Sequence, residues 1–119
     1  MERLGRELDR LGLQHAFTGL AGAWPYTQFA SFRLATVFVE NVPSPEQLRS
    51  LDFVEQDKGN NVWMVLPGDR GVFDGARRIG DVTCAHPVQV WLDLKDQPER
   101  AKDAAEQLYA RLMKGELDG

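Results

Sequence analysis

The chain has 119 residues, 43% of them hydrophobic and 27% charged, enough for one cored domain and too apolar for a disordered segment. No apolar run approaches the roughly 18 residues of a membrane span, and Met1-Glu2-Arg3-Leu4-Gly5-Arg6-Glu7 lacks the apolar stretch of a signal peptide. A net charge of −4 with the signs interleaved argues against strong DNA binding by this chain alone, and the single cysteine, Cys84, excludes an internal disulfide and suits a packed thiol in a cytoplasmic protein.

In chain order, residues 2–11 read as a helix. Leu4, Leu8 and Leu11 form one stripe, Glu2–Arg6 and Arg3–Glu7 are spaced to pair, and Gly12 is the stop. Residues 18–24 are small and apolar, which predicts a short, closely packed helix capped by Thr18 and ended by Pro25. Arg33 to Glu40 is the clearest strand, β-branched, aromatic and apolar on both faces toward its end, and so expected inside a covered sheet. Ser44-Pro45-Glu46-Gln47 opens a helix predicted to stop near Leu51. Phe53 to Gln56 and Val62 to Leu66 then read as strands joined in a hairpin by Asp57-Lys58-Gly59-Asn60-Asn61, and Pro67 to Gly71 as loop. Ala76 to Ile79 and Val82 to Ala85 form a second predicted hairpin around Gly80-Asp81.

The remainder is helical. Pro87 opens a helix with Val88, Trp91 and Leu92 on one face, and Gln97-Pro98 breaks it. Ala101, Ala104, Ala105, Leu108 and Leu112 mark the buried face of a last helix reaching about Lys114, with Gly115 as its stop. The expected class is α+β, one domain over 1–119, with a mixed or antiparallel sheet flanked by helices.

Candidate chemistry is sparse. His15 and His86 are the only histidines and stand in no Cys/His pattern, so no metal site is assigned, and His86 before Pro87 suits a helix cap better than a base. No serine occupies a nucleophile-elbow context, and Gly19-x-x-Gly22 and Gly68-x-x-Gly71 lack the lysine and hydroxyl of a phosphate loop. Asp93-Leu94-Lys95 matches the end of a nuclease motif but falls on a predicted helix, where Lys95 instead faces the helix dipole. Trp24, Trp63 and Trp91 are expected in core or rim packing. Catalytic residues, cofactor-binding residues and cofactors are therefore all read as none. Arg70, Arg77 and Arg78 are the candidate contact for a phosphate or a partner.

The segments Ala16 to Trp24, Arg33 to Val39, Asn60 to Pro67, and Cys84 to Lys95 running into Pro98 to Leu108 together resemble the C-terminal domain of AbiEi-type antitoxins from type IV toxin–antitoxin systems. In that family a winged helix-turn-helix represses its own operon, while the C-terminal domain counters a nucleotidyltransferase-like toxin. Here one helix precedes Phe17-Thr18-Gly19, with no helix-turn-helix, so operator binding does not carry over. The resemblance implies a non-enzymatic protein that works on a protein partner such as that toxin, or on a second copy of itself.

A deeper resemblance is to the skeleton of a minimal nucleotidyltransferase, carried by Thr18-Gly19-Leu20-Ala21-Gly22, the strand, a helix ending in Leu51-Asp52-Phe53, and Glu99-Arg100-Ala101-Lys102-Asp103. Active members need two carboxylates at alternate strand positions to hold two metal ions. This strand has Ala35, Thr36, Val37 and Phe38, and only Glu40 is acidic. A shared fold would thus be a degenerate copy. A nucleotidyltransferase enzyme, and a dimerisation or ligand-sensing module of a transcriptional regulator, remain the alternative classes.

Overall fold

Helix and strand alternate through the first half of the chain, and a tight hairpin and two helices complete it. The computed structural model describes residues 2–28, 34–56, 61–80, 82–95 and 100–115. In order come α1 (Glu2–Arg10), β1 (His15–Thr18), α2 (Gly19–Thr27), β2 (Leu34–Val39), α3 (Pro45–Gln56), β3 (Asn61–Val65), a single 3-10 turn (Arg70–Phe73), β4 (Arg77–Ile79), β5 (Val82–Cys84), α4 (Pro87–Leu94) and α5 (Arg100–Met113). The strands make one five-stranded mixed sheet in the order β3-β2-β1-β5-β4, which with the five helices makes the fold α+β. β1/β2 and β4/β5 run antiparallel; β2/β3 and β1/β5 run parallel.

β2 is an interior strand, as its composition requires. Ala35, Val37 and Val39 are buried on one face, while Thr36, Phe38 and the following Glu40 are half-covered. The predicted start at Arg33 lies outside the described residues, as do most of the predicted turn after Gln56, Asp81, and the Gln97-Pro98 break.

Three sequence expectations are corrected. β1 falls where the sequence predicts only a turn around His15: its four residues are all buried, so no alternation marks them, and its partners lie far along the chain. Pro25 lies inside α2 rather than ending it. The last turn survives because Gln28, at φ 54°, closes it with its N–H on Trp24 O at 2.7 Å, while the Thr27 hydroxyl donates to Ala23 O at 3.0 Å. α3 runs on to Gln56, absorbing the expected strand Phe53–Gln56, so the expected hairpin with Val62–Leu66 does not form and β3 pairs with β2 in parallel instead. Two parallel strands need a crossover of about a dozen residues, which this helix supplies. On α4 the buried side chains are Pro87, Val90 and Leu94.

Other elements follow the sequence closely. Gly12 and Gly115 leave α1 and α5 with positive φ. Ser44 and Gln47 form a reciprocal cap, Gln47 N–H to Ser44 Oγ at 3.2 Å and Ser44 N–H to Gln47 Oε1 at 2.8 Å. β4 and β5 pair around Gly80.

Helices cover both sides of the sheet. Successive strand residues point to opposite faces, so His15 and Phe17 face one way and Ala16 and Thr18 the other. Leu4 and Leu8 of α1, Leu51 of α3, Phe17, Val37, Val39 and Cys84 belong to the core, and so do Ala21, Ala23, Val90, Leu94, Ala104, Ala105 and Leu108 from the packed trio α2, α4 and α5. α1 is pinned to α3 by Glu7, whose carboxylate accepts from Arg10 (Nε at 2.8 Å) and from the Ser50 hydroxyl; these bonds hold its pKa down to about 2.

Candidate functional site

Thr18 sits where β1 turns into α2. Its backbone is extended, as a cap requires, but its hydroxyl makes no cap bond and instead donates to Asp93 Oδ2 of α4 at 2.6 Å. Asp93 Oδ1 accepts from Gln89 Nε2 at 3.1 Å. The acid of the Asp93-Leu94-Lys95 tripeptide is therefore tied into a helix-to-sheet joint, on a helix as its sequence implies. His86 caps that helix through Nδ1, which accepts from Val88 N–H at 3.2 Å. Cys84 is a buried thiol, its pKa pushed up to about 12 by desolvation, so it is a packed group and not a nucleophile at neutral pH.

Arg77 and Arg78 do not converge on one site. Arg77 and Arg78 are successive residues of β4 and so leave opposite faces of the strand. Arg78 pairs with Asp9 of α1 at 2.6 Å and donates to Gly80 O at 3.2 Å. Arg70 begins the 3-10 turn, and its side chain lies outside the described set. No group of three or more His, Cys, Asp or Glu among the described residues is placed to hold a metal ion.

What the fold does assemble is an aromatic groove between α4 and α5. It holds about 340 Å³ and is lined by Trp91, Lys95, Lys102, Ala105, Glu106 and Tyr109. The Trp91 and Tyr109 rings lie 5.9 Å apart and tilted, and Lys95 Nζ stands 5.5 Å from the Trp91 ring centroid, a cation held over a π face. Lys95 also closes the C-terminal end of α4, the place its position in the sequence suggested. The same two helices expose large apolar side chains: Val88 and Leu92 one turn apart on α4, Tyr109 and Met113 one turn apart on α5, all between 44% and 67% exposed.

The face shared by Val88, Trp91 and Leu92 is the outer one. Val88 and Leu92 are exposed and Trp91 half-buried there, while Val90 and Leu94 face the packed trio α2, α4 and α5. Trp24 and Trp91 are half-buried, in keeping with rim packing, whereas Trp63 is 61% exposed on the edge strand β3. Tyr109 and Glu106 carry no reading in the sequence analysis, and Lys102 enters it only within the Glu99–Asp103 stretch. The signal available was a tyrosine and a methionine at i,i+4 on the otherwise polar side of α5.

No protein family, curated protein or solved structure matches this chain. Among the described residues, no helix is long and apolar enough to cross a membrane.

Proposed function

We propose that this domain is a non-enzymatic antitoxin or regulatory module of the type IV toxin–antitoxin kind, cytoplasmic, acting by contact with a protein partner through the α4–α5 groove. The observation that carries it is the Trp91–Tyr109 pair, flanked by exposed Val88, Leu92 and Met113 and rimmed by Lys95 and Lys102. Tryptophan and tyrosine set in a pocket, with apolar neighbours and a polar rim, are the composition of an interface hot spot. The i,i+4 apolar positions on these two packed helices offer ridges for an incoming helix. The non-catalytic part of the proposal draws on β2, whose Ala35, Thr36, Val37 and Phe38 supply no carboxylate pair for two metal ions.

The test is co-purification of the full chain with a candidate nucleotidyltransferase-like toxin, followed by titration of the Trp91→Ala/Tyr109→Ala double variant. Loss of two hot-spot rings should weaken binding by about thirtyfold or more, the equivalent of about 2 kcal/mol, with the melting curve kept cooperative. Sedimentation of the chain alone reports whether the groove is instead used between two copies. Partner binding untouched by the double variant, or no association of either kind, would sink the proposal.

A further inference from the structure

The sheet ends in two strands whose free edges differ in kind. In the order β3-β2-β1-β5-β4, each outer strand is paired on one side only among the described residues. An unpaired row of N–H and C=O groups recruits another strand, so folded proteins protect such edges by keeping them short or by placing charges, prolines or bulges on them. β4 has that protection, being three residues long and carrying Arg77 and Arg78. β3 lacks it. Its five residues keep an unbroken parallel register with β2, from Asn61 opposite Leu34 to Val65 opposite Phe38, and no charge or proline occurs from Asn61 to Leu66.

The two faces of β3 are also unequal. Val62 and Met64 are half-buried and pack on the core. Trp63 pairs with Thr36, which pairs in turn with Thr18, so the tryptophan falls on the other face of the sheet, the one that carries Thr18. α2 packs on β2 but leaves Trp63 61% exposed, with Leu66 51% exposed just beyond the strand.

We propose that β3 pairs with the β3 of a second copy of this chain, antiparallel about a two-fold axis at Trp63, so that the two sheets join into one. The strand's length sets the axis. Trp63 is the middle residue of Asn61–Val65, so this register places position 61 opposite 65 and 62 opposite 64, with none left over. It also brings the two Trp63 side chains together on one face, where an opposed aromatic pair adds to the backbone bonds. Charge favours a copy of the same chain as the occupant. Two chains of net charge −4 can meet here without burying a charge or setting one against its like, because none occurs from Asn61 to Gly68. Closure follows from the other edge: with β4 guarded by its arginines, growth stops at two copies and does not run on as a ribbon. The α4–α5 groove shares no residue with β3, so self-pairing here and partner contact there are independent.

The experiment is sedimentation equilibrium of the full chain in a dilution series reaching about 100 μM, enough to populate a contact of micromolar affinity, with amide hydrogen exchange read on the same samples. The parent should approach twice the chain mass, and residues 61–66 should gain protection as concentration rises. Trp63→Lys, at an exposed position, sets like charges opposite each other and should weaken self-association by at least about tenfold while the melt stays cooperative. Trp63→Thr, a milder change that keeps a strand-forming residue, should weaken it in the same direction. Trp91→Ala/Tyr109→Ala should leave the mass as in the parent. A parent that stays monomeric throughout, a dimer that either Trp63 variant leaves unweakened, or a dimer dissolved by the groove variant would overturn the proposal; the last would place the self-contact on α4 and α5.

Discussion

Replacing Gly22 by alanine should destabilise the domain, although the same change in an ordinary helix interior is favourable by about 1 kcal/mol. Gly22 does not have positive φ, so its backbone conformation suits alanine and the effect isolates packing. The added Cβ would lie 2.6 Å from Phe17 O and 2.8 Å from Phe17 C, and 3.4 Å from Val90 Cγ2. To recover the 3.4 Å of ordinary contact, α2 must retreat from β1 by about 0.8 Å, and both atoms in the way are backbone. Phe17 O cannot yield freely either, because it accepts Ala85 N–H at 2.9 Å and so helps to join β1 to the segment entering α4. Overpacking of this kind costs about 1–3 kcal/mol, and a backbone collision belongs at the upper end. Set against the helix-propensity gain of about 1 kcal/mol, the net loss should be about 2 kcal/mol. Urea unfolding followed by tryptophan fluorescence, with the slope unchanged from the parent, measures it directly. A variant as stable as the parent, or more so, would refute the close approach of α2 to β1.

Three further outcomes are expected. Leu108→Ala should cost about 2–4 kcal/mol in the same melts, since Leu108 is fully buried and its truncation leaves a cavity under α5; a loss below about 0.5 kcal/mol would mean that the helix packs on another face. Acid should weaken the fold through His15, whose pKa is lowered from the ordinary 6.5 chiefly by desolvation, with Leu13 O and Asp9 opposing and Arg78 assisting. Below pH 6.5 the unfolded chain therefore binds the proton that the folded one resists, so stability is level above that pH and falls beneath it by up to about 1.4 kcal/mol per unit; melts at pH 7.5, 6.5 and 5.5 that show no decline in the lower interval would contradict the burial of the neutral ring. Duplex DNA should bind weakly and be released near about 150 mM salt, given a net charge of −4 and an Arg78 already paired with Asp9, and a sequence-specific mobility shift at that salt would show otherwise.

Much of the fold was legible wherever the signal is local. The leucine stripe of α1, the Ser44–Gln47 cap, β2, the hairpin at Gly80 and the alanine face of α5 each declare themselves within a dozen residues. What failed was non-local. β1 is identified by Val37, Val39 and Cys84 on other strands, and nothing within His-Ala-Phe-Thr announces that it will pair with them. α3 reads as broken after Leu51 until its task of bridging parallel strands is known. The groove was half visible: the Val88–Trp91–Leu92 periodicity was correct, but periodicity finds an apolar face without saying whether another element covers it. His15 is ambiguous in the sequence because its burial and its bond to Leu13 O depend on how distant segments pack around β1.

The strand order carries a consequence for how the chain is made. β1 leaves the ribosome early and can take β2 as a neighbour almost at once, with β3 joining after α3, but its other edge is reserved for β5, which is synthesised only after the 3-10 turn and β4. During that interval β1 offers unpaired backbone groups along an apolar strand, the kind of edge that recruits foreign strands. α2, too, waits without α4 and α5, which later pack on it. A nascent chain stalled before Val82 is thus a sticky half-sheet, and docking of β5 beside β1 and closure of α4 and α5 over α2 become a single commitment to the native state.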